Sequence, residues 1–226
     1  MESLKRPIFG CEQIAKTINE NREIKVIFPE NNLKIWNNLI DIYFGILKNM
    51  IQIDKKVIMR GLFTFEVFYK NAYMLPPQIY KKDRESSKSG YKLRFKPTTQ
   101  LALQLREFSK PSQDLYISCI RPYQAYNKKL ANLMYDHVYE HTVTVRYYSE
   151  NDMLQIVDLI TGTLIYLILT GESVSIKHFG NFMINKKVSR LSRCPATGGK
   201  VQLPDRLVLK FKISSKFSDQ LKEFKK

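Results

Sequence analysis

Apolar residues recur at helical spacing in two long segments of the chain. In each segment the apolar positions lie three or four residues apart, which places them on one face of an α-helix. The spacing predicts one helix over about Asn32–Met50 and a second over Glu150–Leu169. Asn31 or Asn32 would cap the first helix and Ser149 the second. The two apolar faces consist of Leu33, Trp36, Leu39, Ile40, Tyr43 and Leu47, and of Met153, Ile156, Leu159, Ile160, Thr163 and Leu167.

Shorter elements flank each of these helices in the same order. An amphipathic helix is predicted before each, over about Cys11–Asn19 and Lys128–Glu140. After each long helix comes a segment rich in aromatic and β-branched residues, which is typical of strands. Gly171 marks the end of the second long helix. Each series closes with a short predicted helix, over about Thr99–Phe108 and Ser215–Phe224.

The repeated order is also visible as repeated sequence. Phe95-Lys96-Pro97-Thr98-Thr99 aligns with Phe211-Lys212-Ile213-Ser214-Ser215, and the matched separations across the chain drift between 116 and 120 residues. This self-similarity predicts an α+β fold of two units, residues 1–110 and 111–226. The polar segment Ser109–Tyr126 would join them, and Leu115–Ile120 within it could form a strand.

Charge narrows the class of partner. The 226 residues carry 37 Lys and Arg against 21 Asp and Glu, a formal net charge of +16, so a polyanion is the expected partner. The three cysteines are widely spaced with no CxxC pair, which favours a reducing compartment over a disulfide or zinc framework. The N-terminus lacks the apolar core of a signal peptide. The apolar run Leu164–Leu169 is too short to cross a bilayer, so no membrane partner is expected.

A basic ribbon is predicted between Asn185 and Lys212, with a turn residue upstream of it. Gly61 and Gly180 are matched when the two halves are aligned. Each follows a β-type segment and precedes an aromatic strand, where a bend or close strand approach favours glycine. A ribbon this charged cannot be buried, so it should extend into solvent or onto a polyanion. The residues proposed to contact that partner are Lys186, Lys187, Arg190, Arg193, Pro195, Thr197, Gly198, Lys200, Arg206 and Lys210.

The run from Glu150 to Phe224 resembles a subunit of the HU/IHF family. The similarity lies in Phe179-Gly180-Asn181-Phe182 before the ribbon and in Arg193-Cys194-Pro195-Ala196-Thr197-Gly198 at its tip. The family pairs two subunits, each a helix pair, a three-stranded sheet with a projecting β-arm and a short C-terminal helix. The resemblance implies that the arm enters the minor groove of DNA, with Pro195 as the residue that wedges between base steps. We expect the two units to pack against each other within one chain and to bury the apolar faces of both long helices. Pairing between chains is the alternative.

The first half departs from that pattern and resembles another family. Its arm, residues 70–92, carries cations but also Asp83 and Glu85, and nothing in it matches the proline-bearing tip. Leu33-Lys34-Ile35-Trp36-Asn37-Asn38 and Gly61-Leu62-Phe63-Thr64-Phe65 resemble the first HU-like domain of the eukaryotic coiled-coil domain-containing protein 81 family. That family carries tandem HU-like domains and is linked to centrosomes and cilia.

Catalytic patterns are few. His137-Val138-Tyr139-Glu140-His141 matches the H-x-x-E-H arrangement of some zinc hydrolases, but no third ligand accompanies it. A polar helix end is the simpler interpretation. Arg193 beside Cys194 could activate a thiol, although nothing else supports a redox site. The sequence thus predicts no enzyme, no metal, no cofactor and no small-molecule substrate.

The leading hypothesis from sequence is a structural binding protein of a microtubule-based assembly. It follows from the first-half resemblance and the altered first arm, and its partners would be tubulin or other axonemal or centrosomal proteins in the cytoplasm, at a cilium or basal body. The alternative is an architectural protein that contacts and bends duplex DNA through the second arm, in a nucleus or organellar nucleoid. A zinc hydrolase is the third and weakest hypothesis.

Overall fold

The structure is a computed structural model of the single chain. It describes residues 8–29, 31–70, 90–105, 112–120, 127–141, 148–193, 196 and 198–223, without the side chains of Ile8, Phe9 and His141. The helices are α1 (Cys11–Glu20), α2 (Arg22–Ile27), α3 (Leu33–Asp54), α4 (Thr99–Gln104), α5 (Gln113–Cys119), α6 (Lys128–His141), α7 (Glu150–Leu169) and α8 (Ser215–Lys222). The strands are β1 (Ile8–Phe9), β2 (Lys56–Met59), β3 (Phe63–Lys70), β4 (Gly90–Pro97), β5 (Ser173–Ile176), β6 (Gly180–Lys187), β7 (Arg190–Arg193), β8 (Lys200–Leu203) and β9 (Arg206–Ile213).

The two long helices confirm the helices predicted from apolar spacing. The side chain of Asn32 accepts hydrogen bonds from the backbone at the start of α3. Ser149 and Asp152 form a reciprocal capping box at the start of α7. Gly171 ends α7 with a φ of 92°, a left-handed conformation that glycine adopts without steric cost. The helix predicted at Cys11–Asn19 is α1, and a further short helix, α2, follows it.

The strands form two principal sheets. The first is antiparallel in the order β2-β3-β4. The second has the order β1-β5-β6-β9, in which β1 lies parallel to β5 and the other pairs are antiparallel. The second sheet therefore has four strands where the HU/IHF resemblance implies three, because residues from the N-terminal half pair with its edge. Strands β7 and β8 form a separate two-stranded ribbon.

A single hydrophobic core joins the two halves of the chain. The ring of Phe65 on β3 lies 5.1 Å from that of Phe211 on β9, measured between centroids. At the helices, the hydroxyl groups of Tyr43 and Thr161 are hydrogen-bonded at 2.9 Å, and both side chains are fully buried. The short C-terminal helices also cross over, since α8 packs against β4 and α4 contacts β9. Each half therefore completes the core of the other.

The strand predicted over Leu115–Ile120 is wrong, because this segment lies in helix α5. Ser112 caps the helix by accepting a hydrogen bond from the Leu115 amide at 3.1 Å. Tyr116 then lies buried against α7, with its hydroxyl 2.9 Å from that of Thr163. Apolar residues at Leu115, Ile117 and Ile120 suggested a strand, but the cap and the seat on α7 decide the conformation.

The apolar stretch of helix α7 is longer than the run Leu164–Leu169. It is long and apolar enough to cross a bilayer by composition, with a mean hydropathy of 1.6, contrary to the conclusion drawn from Leu164–Leu169 alone. However, 78% of its apolar window is buried inside the protein. The helix has the burial expected of a core helix, and helices α1, α5 and α6 pack against it.

Candidate nucleic-acid interface

Only residues 188–205 of the predicted basic ribbon lie beyond the end of the second sheet, because Asn185–Lys187 and Arg206–Lys212 belong to its strands β6 and β9. Strands β6 and β9 pair along their whole length, from Gly180 opposite Ile213 to Lys187 opposite Arg206. The chain then passes through Val188 and Ser189 into β7, which pairs with β8 and with no other described strand. The pair β7–β8 forms the arm, defined here as residues 188–205. The side chains of β7 and β8 are all exposed or half-buried, and these strands have no described core of their own, as the charge pattern predicted.

The turn at the end of the arm is closed by a side chain. The Arg193 guanidinium donates a hydrogen bond from Nε to the carbonyl oxygen of Gly198 at 3.2 Å. Gly198 has a φ of 69°, so the turn uses a backbone conformation that favours glycine. Pro195, Thr197 and Cys194 lie outside the described residues, and their predicted roles stay predictions.

Cations lie directly opposite one another across the ribbon. Lys187 faces Arg206 at the base of the arm, and Arg193 faces Lys200 near its tip. All four side chains are exposed. Directly opposed residues on an antiparallel pair lie on the same face and close together, so like charges there destabilise the ribbon. A polyanion placed across these pairs would remove that repulsion.

One carboxylate organises the base of the arm. Asp205 accepts a hydrogen bond from the Ser189 amide at 2.6 Å and pairs with the Lys186 ammonium at 2.8 Å. The Lys186 hydrogen bond, followed by the Ser189 amide, lowers the pKa of the Asp205 carboxyl below its ordinary value. Asp205 lies in the β8–β9 connection, Ser189 in the β6–β7 connection and Lys186 on β6. These contacts therefore join the two sides of the arm where it leaves the sheet.

Further cations lie on the outer faces of both sheets. On the second sheet, Lys210 and Lys212 share the face that points away from the core. On the first sheet, alternation places the outward cations on the same side of neighbouring strands: Lys56, Lys70, Lys92, Arg94 and Lys96. Glu66 offsets part of this charge, at 3.0 Å from Lys96 and 3.4 Å from Arg94. These contacts, the Lys96 hydrogen bond above all, lower the pKa of Glu66.

The first-sheet cations are not among the residues predicted from sequence, because the first half lacks the glycine-proline tip that marks the ribbon of the second half. Strict alternation in Tyr91-Lys92-Leu93-Arg94-Phe95-Lys96 was the signal that could have revealed them, since period two places all three cations on one face. The guanidinium of Arg94 also lies over the ring of Phe68, 4.4 Å from its centroid. The outer face of the first sheet therefore presents both charge and aromatic surface.

The structure separates the two glycines that the sequence alignment matched. Gly61, with a φ of 73°, lies in the β2–β3 turn. The corresponding residue of the β5–β6 turn is His178, with a φ of 62°, and Gly180 lies two residues further on. A Cβ at Gly180 would stand 2.4 Å from the Phe211 ring and 2.6 Å from the Lys212 carbonyl oxygen. Gly61 therefore serves a turn, whereas Gly180 permits close packing within the sheet.

The remaining candidate chemistry finds little support. Burial, with the nearby Asp41 charge, raises the pKa of the Cys11 thiol to about 11, and burial also raises that of Cys119. Thiols with raised pKa values are poor nucleophiles. Burial and the neighbouring lysines, Lys216 foremost, lower the pKa of His178. Among the described residues no group of three potential metal ligands comes together. The His141 side chain lies outside them, so the H-x-x-E-H arrangement stays untested.

Comparison with known proteins places the second half in a family. Residues 129–222 match the family described as bacterial DNA-binding protein. The integration host factor alpha subunit of Rhodobacter capsulatus is 35% identical over 75 residues, which cover 33% of this chain and 75% of that subunit. The subunit from Anaeromyxobacter sp. (strain Fw109-5) is 32% identical over 74 residues, with the same coverages.

A solved structure, the Anabaena HU–DNA cocrystal structure, aligns with 43% of this chain and 98% of the HU chain. Its sequence identity is 23% and its TM-score is 0.34, so the sequence matches above, and not this superposition, define the relationship. The region that matches the bacterial DNA-binding family runs from the start of α6 through the arm to α8. On this evidence, the chain belongs to the family of bacterial DNA-binding proteins that includes the integration host factor subunits.

Proposed function

We propose that the protein is a non-catalytic architectural protein that binds duplex DNA through its arm and the outer faces of both sheets. On sequence alone, this function is the alternative to a microtubule-based role. Family membership now favours it, because the family that matches residues 129–222 is described as bacterial DNA-binding protein. The proposed partner is duplex DNA in a nucleoid or nucleus.

The observation that carries the proposal is the pairing of like charges across the ribbon. Lys187 opposite Arg206 and Arg193 opposite Lys200 each lower the stability of an isolated hairpin. A phosphate backbone supplies the missing negative charge along a line, which two rows of cations on a β-ribbon can follow. Release of counterions from that backbone would then drive binding.

Bending of the duplex is the finer part of the proposal. In the family that the second half resembles, a proline at the arm tip wedges between base steps, and Pro195 is the residue at that place in the sequence. The exposed apolar side chains Val188 (72% exposed) and Leu191 (66% exposed) give the arm further surface suited to a groove floor. In the corresponding arm of the first half, residues 70–92, Lys70 and Gly90–Lys92 lie in β3 and β4, and residues 71–89 lie outside the described residues.

We further propose that residues 1–110 and 111–226 are two HU-like units that pair within one chain. The Tyr43–Thr161 hydrogen bond and the contact between the rings of Phe65 and Phe211 cross the boundary between these units and support the pairing. The first unit would be a divergent copy, and its resemblance to the coiled-coil domain-containing protein 81 family stays a prediction. None of the relatives described above is named for a cytoskeletal role.

Binding of a fluorescent duplex of about 30 base pairs, measured by anisotropy in a salt series, tests the proposal. The wild-type affinity should fall steeply between about 50 and 200 mM salt, as expected when several phosphates are contacted. Replacing Lys187 and Arg206 by Gln should lower the slope of log affinity against log salt by about 2, one for each lost contact. The same variant should be at least as stable as wild type, because the substitution removes a repulsion.

The matched control is Lys25→Gln with Lys34→Gln, which removes two exposed cations from helices α2 and α3. It changes the net charge equally and should leave the salt slope unchanged. Equal slopes for the two double variants would refute the Lys187–Arg206 pair at the base of the arm as part of the binding surface. Co-sedimentation with microtubules, together with no duplex binding at physiological salt, would restore the cytoskeletal hypothesis.

A further inference from the structure

The two halves can be compared helix by helix. Their long helices start from caps at Asn32 and Ser149, and the strands that follow begin at Lys56 and Ser173. Both pairs lie 117 positions apart, so α3 and α7 correspond residue by residue with no insertion. The helices α1 and α6 begin at Cys11 and Lys128 with the same offset. Differences at matched positions therefore report what each half has acquired separately.

On α7, helix α5 covers one face. The Tyr116 hydroxyl is 2.9 Å from that of Thr163, and the rings of Tyr116 and Tyr166 have centroids 5.0 Å apart. The α5 backbone also approaches Gly162 so closely that a Cβ there would stand 2.4 Å from the carbonyl oxygen of Cys119. A short helix can therefore seat on this face of the long helix in this fold.

On α3, the matching face is uncovered within the described part of the chain. Ile46 and Asn49 correspond to Thr163 and Tyr166, and they line a groove of about 480 Å³ between α3 and α6. Gly45, which corresponds to Gly162, is exposed, and a Cβ built on it meets no atom within 4 Å. No described helix occupies the face of α3 that corresponds to the face of α7 covered by α5.

The groove exposes apolar side chains that the fold does not require. Ile53 is 77% exposed and Leu133 is 36% exposed, and both line the groove. At the corresponding positions of the other half stand the polar residues Thr170 and Lys16. Since polar side chains occupy these positions in the other half, exposed apolar residues are specific to the α3–α6 side. Exposure of Ile53 and Leu133 lowers the solubility of the protein and adds nothing to this core.

The rim of the groove is acidic in a strongly basic protein. Asp136 and Glu140 on α6 and Asp54 on α3 line it, and the Lys129 ammonium is held 2.6 Å from an Asp54 carboxylate oxygen. The local charge is thus opposite in sign to the net charge of +16. This groove is therefore unsuited to DNA and complementary to a cationic partner.

We infer that the α3–α6 groove binds a short amphipathic helix of a partner protein, with an apolar stripe flanked by Lys and Arg. The apolar stripe would cover Ile53 and Leu133, and the basic flanks would pair with Asp136 and Glu140. Helix-in-groove recognition of this kind reads apolar anchors at i, i+3, i+4 and i+7. The seating of α5 on α7 provides the internal precedent. The inference does not depend on DNA binding.

Three synthetic peptides of about 18 residues, or five helical turns, test it against the full-length protein. The first has a leucine stripe flanked by lysines, the second has the same stripe flanked by glutamates, and the third is a scrambled version of the first. Anisotropy at physiological salt should show micromolar binding of the first peptide only. Ile53→Thr with Leu133→Lys, which introduces the residues of the other half, should weaken that binding by about tenfold or more.

The matched control is Val26→Thr with Leu103→Lys, the same chemical change at exposed residues outside the groove, which should bind the peptide like wild type. The inference is overturned if the first peptide fails to bind, if both double variants bind it equally, or if the three peptides bind alike. Sedimentation analysis that shows wild-type self-association abolished by Ile53→Thr with Leu133→Lys would also overturn it, in favour of a second copy as the occupant. Duplex affinity should be unchanged in that variant, so failure here is distinct from failure of the DNA proposal.

Discussion

The matched glycines Gly45 and Gly162 offer a sharp test of the packing. Both lie inside long helices, where replacement of glycine by alanine reduces the backbone entropy lost on folding. Their surroundings differ completely, because α5 covers Gly162 and nothing stands within 4 Å of a Cβ at Gly45. The same substitution should therefore have opposite effects on the free energy of unfolding.

For Gly162→Ala, the new methyl group would lie 2.4 Å from the Cys119 carbonyl oxygen, where ordinary contacts begin at 3.4 Å. Helix α5 must therefore move by about 1 Å, and such overpacking costs about 1–3 kcal/mol. Weakening of the Tyr116–Thr163 hydrogen bond adds about 1 kcal/mol, and improved helix propensity offsets about 1 kcal/mol. We expect a net destabilisation of about 1–3 kcal/mol.

For Gly45→Ala, no contact opposes the gain in helix propensity. We expect stabilisation by about 0.5–1 kcal/mol, so the two variants should differ by about 1.5–4 kcal/mol. Urea unfolding followed by circular dichroism measures both values, with unchanged m-values as the check that the denatured state is unaffected. Near-UV circular dichroism should also report the displaced Tyr116 in Gly162→Ala alone.

The expectation fails if Gly162→Ala is as stable as Gly45→Ala. That result would mean that α5 does not seat on α7, and the comparison of the two helix faces would lose its basis.

Two further predictions concern the halves and the arm. Residues 1–110 and 111–226, produced separately, should each lack cooperative unfolding and regain it when mixed, because the core residues Phe65 and Phe211 come from different halves; two stable monomers would contradict the proposed pairing. The depressed pKa of Asp205 means that its contacts stabilise the base of the arm above the ordinary carboxyl pKa of about 3.9 and are lost as the pH falls through the lower folded value. The Ser189 amide resonance should shift in that acidic window, and Asp205→Asn should abolish the shift.

Much of the helical architecture could be predicted from sequence because it is encoded locally. Helix α7 begins and ends as predicted, at Glu150 and Leu169, since a capping serine, an apolar face and a terminal glycine all point to the same bounds. Helix α5 could not be predicted as easily. Its apolar residues fit a strand equally well, and only the distant Thr163 and Tyr166 select the helix.

The candidate interface was predictable in part for a similar reason. The ribbon cations are clustered in sequence, and their exposure follows from charge alone. The cross-strand opposition of Lys187 and Arg206 depends on the register of β6 against β9, which a single sequence does not specify. The alignment of Gly61 with Gly180 was wrong for a similar reason. The two residues are of the same type, but the backbone geometry of the two turns makes His178 the residue that corresponds to Gly61.

The contact between aromatic side chains of β3 and β9 determines how association of the two halves depends on protein concentration. Subunits from separate chains dissociate on dilution. Two segments of one polypeptide stay associated at any dilution because their effective concentration is high. Tyr43 and Thr161 are tethered in this way and meet without a second molecule. Such a tether also allows the two contacting surfaces to have different sequences. In a two-fold symmetric assembly both surfaces have the same sequence, so each must be complementary to itself.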